Sequence, residues 1–104
     1  MFGNDIPSYG IGNLIRLSVQ FNTLVGSAPI DPTTVTLYVR NPDQSVNTFT
    51  YAASQIIRDG VGAYHYDLNN TQSGYYNYRF EGSGNCTVAQ NGQFNSIPSP
   101  FGSL

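Results

Sequence analysis

His65 and Asp67 stand two residues apart in "AYHYDL", a spacing that puts both side chains on one face of a β-strand. A histidine beside a carboxylate is the base-and-orienter half of a nucleophilic triad, and a serine elsewhere could complete it. The surrounding sequence does not support that chemistry. No strand–turn–helix elbow presents a serine, and neither residue lies on a glycine-lined loop. A lone histidine on a polar strand face is expected to be solvated. Glycoside hydrolysis needs two carboxylates about 5–10 Å apart, one of them held protonated. Of the six acids, Asp31, Asp43 and Asp59 fall in turn sequences, where bonding to nearby backbone accounts for them. "GSGN" at residues 82–85 follows a strand, but no helix opens after it to cradle a phosphate. Asp59-Gly60 and Asn69-Asn70 offer oxygen ligands without the alternating acids of a calcium loop. No catalytic, metal-binding or cofactor-binding residue is assigned, and the chain is expected not to be an enzyme.

Cys86 is the single cysteine, so no internal disulfide or multi-cysteine metal site is available. Its neighbours Asn85 and Thr87 carry no positive charge to favour a thiolate, and it reads as a packing residue. Among the tyrosines, Tyr38 and Tyr75 are expected to point outward. With abundant Asn and Gln around them they could stack on and hydrogen-bond to a sugar. Tryptophan is absent, and tyrosine is also an ordinary strand former.

Charged residues make up 10% of the chain, with no lysine and a net charge of −2. An average soluble domain carries roughly 25%. Binding to nucleic acid through a basic patch is not expected, because neutralising phosphates takes clustered Lys and Arg. A neutral polar surface costs less to desolvate than a charged one, which suits a protein docked on others. The opening "MFGNDIPSYG" lacks the basic and apolar regions of a signal peptide, and no apolar run is long enough to span a bilayer.

The elements that position these residues are strands. "IRLSVQF" alternates Ile15, Leu17, Val19 and Phe21 against Arg16, Ser18 and Gln20, and "TVTLYVR" alternates Val35, Leu37 and Val39 against polar partners. That is the period of half-buried strands. Asn41-Pro42-Asp43-Gln44 suits a type I turn, so residues 34–51 read as a hairpin. A short piece around Ile57 ends at the turn signal Asp59-Gly60. Tyr64, Tyr66 and Leu68 share one face, as do Tyr76, Tyr78 and Phe80, and a last strand is placed at Thr87–Phe94. About seven short strands separated by turns predict an all-β, immunoglobulin-like antiparallel β-sandwich. Ile15, Leu17, Val19, Phe21, Val35, Leu37, Val39, Leu68, Tyr76 and Tyr78 are its expected core. The domain is placed at residues 14–94, between Gly-, Pro-, Ser- and Asn-rich arms at 1–13 and 95–104.

"NNTQSGYYNYRF" adds a specific expectation. In immunoglobulin-like domains a tyrosine near the start of the sixth strand bonds back to the corner backbone, two residues before a cysteine. Here Tyr76 takes the corner role and Tyr78 the cysteine position. Gln72 stands where an acid is common. The run "DPTTVTL" at Asp31–Leu37, the later "RDGVGAYHYDL", and the sixth strand with Gly74, Tyr76, Tyr78, Arg79, Phe80, Glu81 and Gly82 resemble small immunoglobulin-like structural proteins of tailed bacteriophages and prophages. Gln44 departs from the glycine of their "PDG"-like hairpin. The resemblance covers roughly residues 14–94 and implies a virion structural protein, with no catalytic residues to carry over. A capsid decoration protein is the leading expectation. It would be located on the virion and dock on the major capsid protein or other virion proteins, with self-association open and neither nucleic acid nor membrane as partner. A neck or tail accessory protein, or a carbohydrate-binding adhesion module, is the alternative. Partner contacts are expected from the arm aromatics Phe2, Tyr9 and Phe101 and from exposed Tyr38 and Tyr75.

Overall fold

The computed structural model describes residues 6–84 and 89–98. Eight strands follow one another without a helix: β1 (Ser8–Gly10), β2 (Leu14–Gln20), β3 (Val35–Arg40), β4 (Val46–Thr50), β5 (Ile57–Gly60), β6 (Ala63–Asn69), β7 (Gly74–Gly82) and β8 (Ala89–Ile97). They form a five-stranded sheet in the order β1-β8-β7-β3-β4 and a three-stranded sheet in the order β2-β6-β5. All pairs are antiparallel except β1 with β8, which is parallel. This is the predicted all-β sandwich, with eight strands among the described residues where about seven were expected.

The alternation read in β2 and β3 is the alternation of burial. Ile15, Leu17, Val19, Phe21, Val35, Leu37 and Val39 are all buried, and Leu37 and Val39 meet no solvent at all. Tyr76, Phe80 and Phe94 face them from β7 and β8, with Tyr64 and Leu68 from β6. Tyr76 stacks on Phe94 at 4.7 Å with the rings 10° apart, and Phe21 meets Tyr64 edge to face. Tyr78, expected in the core, is half-buried. Its ring occupies the space left by Gly92, where an added Cβ would fall 2.2 Å from Cζ.

Two segments read as arms belong partly to the sheet. Ser8–Gly10 pairs with Asn95–Ile97, so β8 runs beyond the expected end at Phe94 and an extra strand precedes Leu14. Such a segment escapes pattern reading because three residues of parallel pairing are too short to show a period. Thr87 and Cys86 lie outside the described residues.

The β3–β4 hairpin closes as expected. Gln44 N–H donates to Asn41 O at 2.9 Å, and Asn41 N–H to Ser45 O at 2.8 Å. Asp43 accepts from Ser45 N–H at 2.9 Å. Gln44 has φ 75°, the left-handed conformation that favours glycine, so the residue that departs from the resemblance stands where the backbone asks for glycine. The tyrosine corner is also present: the Tyr76 hydroxyl accepts from Gln72 N–H at 3.0 Å and Thr71 N–H at 3.3 Å. Gln72 uses its amide to reach Asp43, accepting from its N–H at 3.2 Å and donating to its carboxylate at 3.3 Å. The corner is thereby tied to the hairpin turn. Gly74, at φ 122°, sits so near Pro42 that a Cβ would come within 2.9 Å.

Tyr76→Phe removes the acceptor of two N–H groups and should cost about 1–2 kcal/mol in urea unfolding. Tyr75→Phe, with Tyr75 53% exposed, should leave the midpoint unchanged. Gln44→Gly relieves the left-handed strain and should raise stability by about 0.5–1 kcal/mol, seen as a higher urea midpoint at unchanged slope.

Candidate functional site

The broadest surface is the outer face of the five-stranded sheet. Because Val35, Leu37 and Val39 point inward, β3 turns Tyr38 and Arg40 outward; β7 likewise presents Tyr75, Asn77, Arg79 and Glu81. Tyr38 lies opposite Thr48 and Arg79, and Arg79 opposite Asn91. Arg40 lies opposite Val46 and Asn77. These side chains border an open depression of about 300 Å³. Arg79 donates to Glu81 at 2.7 Å, whereas Arg40 has no ion pair among the described residues.

The sequence-predicted site residues separate. Tyr38 and Tyr75 do share this face and are exposed, but four residues of register divide them, about 13 Å along the strands. Tyr9 is turned onto the sandwich: it meets Phe94 edge to face at 5.7 Å and is 38% exposed. Phe2 and Phe101 lie outside the described residues.

A second surface lies at one end of the sandwich. The β2–β3 loop folds into a tight hairpin, with Thr23 N–H donating to Ala28 O at 2.7 Å and the Thr23 hydroxyl to Val25 O at 2.6 Å. Its tip exposes Leu24 at 61% and Val25 at 89%. Phe21 N–H bonds Gly62 O, and Gln20 Nε2 donates to Val61 O. The loop therefore springs from the end where the β5–β6 turn exposes Val61, at 54%. Gly62 is required in that turn, since at φ 72° a Cβ would stand 2.4 Å from Phe21 O.

The histidine is a correction. His65 is 5% exposed, not solvated. Its Nδ1 lies 2.7 and 2.8 Å from the two oxygens of Asp59, and its Nε2 is 3.9 Å from Asp67. Asp59 was read as a turn acid; the turn falls at Val61-Gly62, and Asp59 sits at a register shift in β5, where a bulge re-aims its side chain. Ser18 pairs with His65 across the strands, so acid, imidazole and hydroxyl do gather. No hydrogen bond joins Ser18 to the ring among the described residues, and the ring is held by Asp59 instead. The arrangement clamps β2, β6 and β5 together, with Arg16 binding Asp67 through two contacts of 2.9 and 3.2 Å.

Asp31 is likewise more than a turn acid bonded to nearby backbone. It receives Arg58 through two contacts of 3.1 and 3.0 Å, Gly62 N–H at 2.8 Å and the Tyr64 hydroxyl at 3.1 Å. The Arg58 hydrogen bonds, then the Gly62 amide, lower its pKa from 3.8 to about 2. Its partners lie 27 to 33 residues away, a separation that no local motif reveals.

Compared with known proteins, the chain matches no family model, no curated protein and no solved structure.

Asp43 and Asp67 are also held below the ordinary carboxylate range, by hydrogen bonds from Ser45 and from Arg16 respectively. A depressed folded-state pKa stabilises the fold above the unfolded value and ceases to do so as pH falls through the folded one. The melting midpoint should therefore fall as pH drops from about 4 towards 2. Asp31→Asn should lower the midpoint at neutral pH and flatten part of that acid limb. An acid limb unchanged in Asp31→Asn would remove Asp31 as its source.

Proposed function

We propose that the protein is a non-enzymatic structural part of a tailed-phage virion, a decoration protein that docks on capsid subunits. The observation that carries this reading is the apolar loop end: Leu24 and Val25 are exposed at the tip of the β2–β3 hairpin, and Val61 in the β5–β6 turn at the same end of the sandwich, on a chain poor in charge. Scattered exposed apolar residues are ordinary, but apolar side chains presented at a hydrogen-bonded hairpin tip and a neighbouring turn suit a protein–protein contact. The resemblance of residues 14–94 to phage immunoglobulin-like proteins supports the choice of partner. So does the low overall charge of the chain, 10% of residues, because neutral polar surface costs less to desolvate than charged surface. A stable attachment takes about 1,000 Å² or more of buried surface, so the tip would act with neighbouring loops.

Val25→Asp alters a side chain that is almost wholly solvated and should leave the melting temperature unchanged. It should weaken binding to purified undecorated capsids at least about tenfold, as burial of an unpaired carboxylate at an interface requires. Sedimentation with capsids measures this. Undiminished binding by a double Leu24→Asp, Val25→Asp variant would move docking elsewhere on the molecule, and absence of wild-type binding to any virion component would remove the proposal.

A further inference from the structure

Among the described residues, three of the four arginines are engaged by carboxylates: Arg16 by Asp67, Arg58 by Asp31 and Arg79 by Glu81. Arg40 is the exception. It stands exposed on β3, at the rim of the depression on the five-stranded face, two residues from exposed Tyr38. We infer that this depression is a binding site for an acidic saccharide, with Tyr38 stacking against the sugar ring and Arg40 receiving its carboxylate.

Two residues on a strand place Tyr38 and Arg40 about 7 Å apart. That matches the reach of a pyranose ring laid on the phenol, with its exocyclic carboxylate extended to a guanidinium. A guanidinium pairs with a carboxylate through two parallel hydrogen bonds, and an aromatic face offers an apolar surface to the C–H side of a sugar. Asn77 and Asn91, which also line the depression, carry amides that donate and accept at once, the chemistry that ring hydroxyls need. The volume of about 300 Å³ lies at the small end of ligand pockets and suits one or two sugar units. Tyr75 stands outside this constellation. The face lies apart from the Leu24–Val25 tip, so a docked protein could still present it.

The test is a titration of the isolated full-length protein, followed by amide chemical shifts. Methyl glucuronide, methyl glucoside, acetate and N-acetylglutamate amide are added in turn. Methyl glucuronide should shift Tyr38, Arg40, Asn77 and Asn91 with a Kd of about 1 mM, and the neutral glucoside should bind about tenfold more weakly. Arg40→Gln should abolish the difference between the two sugars, and Tyr38→Ser should lose both. Tyr75→Ser should bind as wild type does. Equal affinity for glucuronide and glucoside in the wild type would overturn the role of Arg40, and shifts confined to another surface would overturn the site. Acetate or N-acetylglutamate amide binding as tightly as glucuronide would assign Arg40 to a protein carboxylate and sink the saccharide reading. Failure of the protein to bind capsids bears on none of these outcomes.

Discussion

The amide of Asn70 is the junction on which the two sheets depend. It is wholly buried, yet every polar group it carries is used. Its side chain donates to Gly10 O at 2.9 Å and accepts from the Ser96 hydroxyl. Its carbonyl accepts from Gly12 N–H at 2.8 Å, and its N–H donates to Asn13 O at 3.4 Å. One residue thus holds the end of β6, the link from β1 to β2, and the inner face of β8. A buried polar network satisfied throughout defines one arrangement, because each alternative strands a group away from water. From this junction the chain passes into the tyrosine corner, and from the corner through Gln72 to the hairpin turn. That relay crosses one end of the five-stranded sheet, from β1 and β8 to the β3–β4 turn.

What the sequence revealed, it revealed through local period. Ile15, Leu17 and Val19, or Val35, Leu37 and Val39, declare a buried face because the pleat repeats every two residues. Tyr76 could be placed because its partners, Thr71 and Gln72, are five and four residues away. The interactions that escaped are those that fold-level proximity creates. Asp59 reaches His65 only because β5 bulges, and nothing in "RDGVG" distinguishes a bulge followed by a two-residue turn from a turn beginning at Asp59. Asp31 meets Arg58, Gly62 and Tyr64 only after the β2–β3 connection has been laid across the end of the sandwich. Tyr9 looked like a free anchor because its flanking residues are those of a loop, while its true environment, Phe94, comes from the far end of the chain.

The candidate surfaces follow the same division. Tyr38 was legible as an outward residue by strand parity. Arg40 was not legible as a free cation, since its distinction lies in what the other three arginines are doing. Among the described residues, Arg16–Asp67 joins β2 to β6 and Arg58–Asp31 joins β5 to the β2–β3 connection, whereas Arg79–Glu81 pairs within β7 and Arg40 is left on the outer face without a carboxylate. Leu24 and Val25 were unremarked in sequence because a hairpin inside a connection is visible only from its hydrogen bonds.

The parallel pairing of β1 with β8 has a mechanical consequence. The chain enters β1 at Ser8, beside Asn95, and leaves β8 at Ile97, beside Gly10, so opposite pulls on these two points run along the paired strands. Parallel neighbours pulled in opposite directions are loaded in shear, and their ladder hydrogen bonds bear the load together instead of opening one after another. The β1–β8 contact is only three residues long, but the Asn70 junction and the Tyr9–Phe94 contact brace it from beneath. The seam acts as a clasp: parting Ser8 from Asn95 breaks the short ladder and the Tyr9–Phe94 ring contact in the same movement.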